Sequence, residues 1–297
     1  MSDSALHAAE MEGLSTGGLL VPKRSLTRQL VKDRSALVGL VIVVIFLVMA
    51  IAAPLVATGD PLDQDVVNRY APTSAAHLLG TDNLGRDEFS RIVYGARASL
   101  FTTIAVGLVI LITGVAVGTA SGLVGGLLDG LLMRIVDVLL AFPPLLLALA
   151  VTGMLGPGLF NLALALVLVY WVEYARVVRG LVLAMKERAF VESARAIGLS
   201  RTRIAVRHVI PNVVSPVIVL ATLRTGQLLL TLAGLSFLGL GIQPPTPEWG
   251  SMLSEGQSYL ASAPQLMVYP GLAITLVALG FNLVGDGLRD VLDPTLR

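Results

Sequence analysis

Residues 35–57, SALVGLVIVVIFLVMAIAAPLVA, carry no charged side chain. A helix of that length crosses the roughly 30 Å apolar core of a bilayer, whereas a helix in a soluble core rarely runs so far without a polar face. A secretory signal has a shorter apolar region nearer the start and a small-residue cleavage site, so this stretch reads as an uncleaved span. Five further windows of similar character follow, at about 99–122, 135–152, 159–178, 213–238 and 266–288. The expectation is an all-α, polytopic membrane protein with six transmembrane helices.

Composition points the same way. Asp, Glu, Lys and Arg make up 14% of the 297 residues, well below the roughly 25% usual in a soluble domain, and the mean hydropathy is +0.82. The 21 basic and 20 acidic residues leave a net charge of +1, which argues against a nucleic-acid binder with its basic face. Apolar content this high also excludes intrinsic disorder. With no cysteine there is no disulfide framework or thiol nucleophile, and His7, His77 and His208 are too widely spaced for a local metal motif. Neither HExxH nor a GxxxxGK(S/T) phosphate loop occurs. The chain is expected to be no enzyme, to hold no cofactor or metal, and to take its energy from a partner or an ion gradient.

Lys and Arg sort by side. With the N-terminus inside, Lys23, Arg24, Arg28, Lys32, Arg34, Arg134, Arg176, Arg179, Lys186, Arg188, Arg195, Arg201, Arg203, Arg207, Arg289 and Arg297 fall in inner connections. Only Arg69, Arg86, Arg91 and Arg97 fall outside, and Arg224 lies within a span. This bias predicts both termini in the cytoplasm. The organisation that follows begins with a tail and interfacial helix at 1–35, in which Leu26 and Leu30 stand at helical spacing among basic residues. A first span at 36–56 and an extracytoplasmic segment at 57–97 come next. A five-helix core at 98–290 then carries a large inner loop at 180–211, and a cytoplasmic end occupies 291–297. The outer segment holds Asp60, Asp63, Asp65, Asp82, Asp87 and Glu88, a candidate cap or docking surface. Pro244, Pro245 and Pro247 exclude a regular helix in the later outer stretch.

The inner loop carries the most informative pattern, ERAFVESARAIGLSRTRIAVRHVIP at 187–211. Phe190, Ala194 and Ile197 recur at i, i+4 and i+7, a small apolar ridge on one short helix, with Arg188 and Glu192 at pairing distance on its other side. Gly198 suits the left-handed turn that ends such a helix, and Ser200 can cap the next. By spacing alone this is either a connector or a docking unit.

Glycines and buried charges supply further candidates. Gly114, Gly118, Gly122, Gly126 and Gly130 repeat every four residues. Small residues let helices approach closely in lipid, and each four-residue step turns about 40°, so the row is expected to wind round its helix and meet more than one neighbour. A sharper option is a moving interface between two subunits. Arg224 stands either at mid-membrane, facing a translocation cavity and a substrate carboxylate, or at the inner interface if Pro216 breaks the helix. A charge at the bilayer centre costs about 2.5 to 3.5 kcal/mol on insertion scales, so the former would be functional. Asp129, Asp137, Glu173 and Asp286 are expected near inner span ends, paired with Arg134, Arg176 or Arg289.

Glu192, Ser193, Ala194, Gly198 and Pro211 resemble the Glu-Ala-Ala loop of ABC importer permeases, with serine in place of the first alanine and His208 and Ile210 departing from the usual isoleucine and leucine. HLLGTDNLGRDEFSRIVYGARASL, LSFLGLGIQPPTPEWG and FNLVGDGLRDVLDP are similar to stretches of the second permease subunit of dipeptide, oligopeptide and nickel importers, and together the matches run from about Arg24 to the C-terminus. The resemblance implies a type I ABC importer permease fold in a bacterial inner membrane. It also implies a homologous second permease in a heterodimer, two ATPase subunits and an extracytoplasmic solute-binding protein. Phe190, Glu192, Ser193, Ala194, Ile197 and Gly198 would then form a coupling helix in a groove of the ATPase. Peptide uptake by alternating access is the expected function. Nickel or a metal chelate is the alternative cargo, and an ion-gradient-driven secondary transporter the alternative class, disfavoured because Arg224 does not titrate usefully.

Overall fold

The computed structural model describes residues 33–292; the expected interfacial helix around Leu26 and Leu30, and the chain beyond 292, lie outside the described residues. Among the described residues the elements are helical: α1 (Arg34–Ile51), α2 (Ala53–Val56), α3 (Glu88–Val124), α4 (Gly126–Leu140), α5 (Pro144–Leu155), α6 (Leu159–Lys186), α7 (Ala189–Ala196), α8 (Arg201–Ile204), α9 (Ile210–Phe237), α10 (Trp249–Gln257) and α11 (Gln265–Leu292). A single π turn, Ala205–Val209, leads into α9. α1, α3, α6, α9 and α11 are long and apolar enough to cross a membrane, and α4 with α5 adds a sixth crossing only as a pair bent by 91°.

That bend corrects the straight third span expected at 135–152. Its cause is Pro143-Pro144. A residue before proline is pushed out of helical geometry, and Pro143 sits at ψ 123°. Pro144 then opens α5, where its missing N–H has no intrahelical partner to lose. At the far end of α5, Asn161 Nδ2 donates to the carbonyls of Leu155 (2.8 Å) and Gly156 (3.2 Å), satisfying groups the finished helix leaves open.

The second span also differs. Asp87 accepts from the Ser90 N–H at 2.8 Å and starts α3 at Glu88, well before the apolar window expected at 99–122. α3 has 37 residues, about 55 Å. Its first turns are enclosed by protein: Glu88 and Arg91 are buried. Arg86 donates to Asp82 (2.6 Å) and Glu255 (2.9 Å), and Arg91 donates to the same Glu255 carboxylate at 2.6 Å. Trp249, fully buried, donates its indole N–H to the Ile92 carbonyl at 3.0 Å and packs its ring edge-on to Phe46. The buried Glu248 carboxylate caps α10 through the N–H groups of Gly250 and Ser251 and accepts from the Ser99 hydroxyl at 2.9 Å. Two stretches far apart in sequence thus close one end of the bundle as a single ionic and aromatic plug.

Asp87 also accepts from the Thr58 hydroxyl at 2.6 Å and faces His77 Nδ1 at 2.9 Å. Burial pushes its carboxyl up, but the bonds from Thr58 and Ser90 outweigh it and hold the group below the usual aspartate value.

Small residues set the helix contacts. A Cβ at Gly114 would lie 2.4 Å from Tyr174 Cβ, at Gly118 2.5 Å from the Ala175 carbonyl oxygen, and at Gly122 2.7 Å from Val182 Cγ1. α3 and α6 therefore run parallel with backbones nearly touching. The row meets one neighbour where several were expected, because an i, i+4 ridge is inclined to the helix axis and a helix crossing obliquely stays on it. Gly126 and Gly130 leave the row: nothing lies within 4 Å of a Cβ at either, and Gly125 and Gly126 take φ of 70° and 62° in the turn between α3 and α4. α11 is held on both sides in the same manner, with Gly287 against Ala36 of α1 and Gly285 against Leu223 of α9.

Candidate functional site

At the end of the bundle away from the Trp249 plug, α6 runs on to Lys186 and turns into α7. Val191 and Ala194, three residues apart, are buried and pack with Val178, Val182, Ile204, Val209, Val213 and Val217. Ala194 thus points inward and does not belong to the outer ridge expected with Phe190 and Ile197. Those two are 45% and 78% exposed; Glu192 and Ser193 are exposed beside them. Gly198 follows with φ 79°, and the Leu199 N–H bonds the Ala194 carbonyl at 3.1 Å, the six-to-one bond of a Schellman ending. Ser200 Oγ accepts from the Arg203 N–H at 3.4 Å. Among the described residues no ion pair joins Arg188 to Glu192. The unit is pinned by its inner face; on the outer face Phe190 keeps a tilted ring contact with His208, centroids 6.2 Å apart, while Glu192, Ser193 and Ile197 are exposed.

Arg224 is the fifteenth of the 28 residues of α9, and Pro216 lies inside that helix without ending it. Its guanidinium pairs with Glu173 of α6 and donates to Gln227 Oε1. Glu173 was expected near an inner span end; the structure places it at mid-helix, because α6 continues two turns beyond 178. The other charges also differ in part from expectation. Asp129 is held by Arg179 through Nε (2.6 Å) and Nη2 (2.8 Å) and accepts from Ser121, and Asp137 pairs with Arg176. Among the described residues no ion pair involves Arg134, Arg289 or Asp286.

The Glu173 to Arg224 pair lines a cavity of about 130 Å³ together with Tyr170, Thr225, Leu228 and Phe281. A second cavity of about 350 Å³ adjoins Arg224 and Gln227 on their other side, bounded by Leu223, Leu230 and Asn282. Sequence reasoning found Arg224 but missed Glu173 as its partner. The signal was present: both lie midway between the breaks that bound their helices.

Five long apolar helices and a bent pair, with the Glu173 to Arg224 ion pair at mid-length, define a polytopic helical membrane protein. The family described as binding-protein-dependent transport system inner membrane component matches residues 114–297, and the N-terminal TM domain of oligopeptide transport permease C matches residues 23–72. The chain belongs to this family of binding-protein-dependent transport permeases, multi-pass proteins of the inner membrane. It is 44% identical over 276 residues to the dipeptide transport system permease protein of Alkalihalophilus pseudofirmus, covering 93% of this chain and 91% of that one. It is 44% identical over 283 residues to the glutathione transport system permease protein of Escherichia coli, with the same two coverages. A putative peptide transport system permease protein of Brucella abortus is 42% identical over 270 residues, 91% of each chain.

Proposed function

We propose that this chain is one of two homologous permeases in an ATP-driven importer of short peptides, with both termini cytoplasmic. α7 is its coupling helix. The observation that carries this reading is the two-sided character of that helix: Val191 and Ala194 fix it to α6 and α9, while Phe190, Glu192, Ser193 and Ile197 face outward beside the Gly198 turn. An apolar pair flanking a carboxylate and a hydroxyl fits a groove on a partner protein, and movement of such a partner passes directly into α6 and α9 through the valine cluster.

Two ATPase subunits close on ATP and draw α7 with them, opening the path outward to a docked solute-binding protein; hydrolysis returns it inward. Arg224 lines the path. Peptide is the favoured cargo because two of the relatives above are named for dipeptide and glutathione transport. The test is purification from the native membrane followed by reconstitution. A copurifying ATPase and ATP-dependent dipeptide uptake that requires the binding protein are expected. Uptake by the isolated chain driven by a proton gradient alone would overturn the reading.

A further inference from the structure

Glu173 and Arg224 are an anion and a cation held at mid-helix on facing helices, yet neither is packed away. Their side chains are 36% and 39% exposed, against 3% and 2% for Arg86 and Arg91 in the plug at the bundle end. Charges so open at this depth do not face hydrocarbon, where each would cost several kcal/mol. The wall they occupy borders the two cavities.

Resting on the importer reading above, we propose that this pair is a binding site for the two ends of a zwitterionic peptide in passage: Glu173 takes the α-ammonium and Arg224 the α-carboxylate. Arg224 and Gln227 stand between the two cavities, the smaller of which also holds Glu173. An extended dipeptide spans about 7 Å, short enough to bridge the two charges once they part. The guanidinium fork matches a carboxylate in bidentate geometry. Leu108, Leu111, Leu228 and Phe281 supply apolar wall beside the hydroxyls of Tyr170 and Thr225, and among the residues lining the two cavities Glu173 and Arg224 alone are charged, so the charged termini that different peptides share are what the site reads.

The resting ion pair gives this site its selectivity. A ligand bearing both charges replaces each half of the broken pair. A ligand bearing one leaves a protein charge without its partner among largely apolar walls, which is unfavourable. Discrimination therefore comes from a penalty on singly charged ligands as much as from attraction to the zwitterion.

The test uses the complete transporter, with its partner subunits but without the binding protein, in lipid nanodiscs. Equilibrium dialysis compares alanyl-phenylalanine with its N-acetylated and C-amidated forms. The free dipeptide should bind at least tenfold more tightly than either capped form. Glu173→Gln should remove the distinction against the acetylated form and Arg224→Gln that against the amidated form. The double variant Glu173→Gln/Arg224→Gln, which carries no unpaired charge, should remove both and serves if a single variant fails to assemble. Equal binding of all three ligands, no binding of the free dipeptide, or retained discrimination in the double variant overturns the proposal. Parallel proteoliposomes with the binding protein separate the two claims: wild-type uptake without discrimination at Glu173 and Arg224 defeats this site alone, whereas no ATP-dependent uptake by wild type defeats the importer reading.

Discussion

Glu173 and Arg224 each stand fifteenth in a helix of 28 residues, and their side chains meet between α6 and α9. Each explains the other's depth, since a lone charge there would be expelled toward an interface or force water into the bundle. Removing one partner should be worse than removing both. Arg224→Gln or Glu173→Gln alone is expected to lower stability by about 1 to 3 kcal/mol, and the double variant by under about 1 kcal/mol. Thermal unfolding of the detergent-solubilised complex, run as a double-mutant cycle, measures this; additive losses would mean the two charges do not interact.

The Gly198 turn fixes where the outward face of α7 ends. A β-branched residue at φ 79° is strained by about 1 to 2 kcal/mol, so Gly198→Val should displace Ile197 and Leu199 while Val191 and Ala194 stay packed. Glu192→Lys reverses one exposed charge. Both variants are expected to assemble with normal yield and to lose most peptide uptake along with binding-protein-stimulated ATP hydrolysis. Wild-type hydrolysis rates in both would remove the coupling role from α7.

The contact between α3 and α6 has no room for a side chain at Gly118, where a Cβ falls 2.5 Å from the Ala175 oxygen and 2.9 Å from Val178 Cβ. Gly118→Val should force the helices apart and cost about 2 kcal/mol or more. Gly130→Val, in open space by the same measure, is the control and should melt within about 1 kcal/mol of wild type. Similar melting of the two variants would argue against close packing at this seam.

One carboxylate, Glu255, serves both Arg86 and Arg91. Glu255→Gln leaves two buried guanidinium groups sharing Asp82 alone, a loss of about 3 kcal/mol, read as a fall in melting temperature and as protease cleavage between residues 57 and 87. Unchanged protease resistance would show that the plug does not depend on Glu255.

Asp87 predicts an acid limit. Its carboxyl lies below the usual aspartate value in the folded chain, so the stabilisation it gives is complete above the ordinary aspartate range and is lost as pH falls through its folded-state value. The melting-temperature gap between wild type and Asp87→Asn should be constant near neutrality and shrink below about pH 4. A gap independent of pH down to about 2 would assign the effect to shape and not to charge.

The apolar windows made most of the helices legible, because clearing charge from about twenty residues is a demand of the solvent and not of a particular neighbour. What escaped depends on contacts between distant segments. Glu88 and Arg91 read as polar surface, and Arg91 becomes interior only through its pairing with Asp82 and with Glu255, the latter in α10. Ala194 looked like a ridge residue by its spacing from Phe190, and it is the position of α6 and α9 that decides which side of α7 is inside. Pro143 was visible throughout, but the size of its 91° consequence follows from how α5 packs on α6, which no local rule contains.

The length of α3 has a mechanical consequence. It measures about 55 Å against an apolar slab of about 30 Å, so close to half of this rod stands clear of the bilayer, gripped there by Trp249 and Glu255. A rod held at one extremity and bearing on a glycine track at the other acts as a lever. A rotation of about 10° around its midpoint carries either tip some 5 Å, roughly one helical turn. A push on the plug and a shift along the α6 track are then two readings of one motion, transmitted with no change in the helix itself.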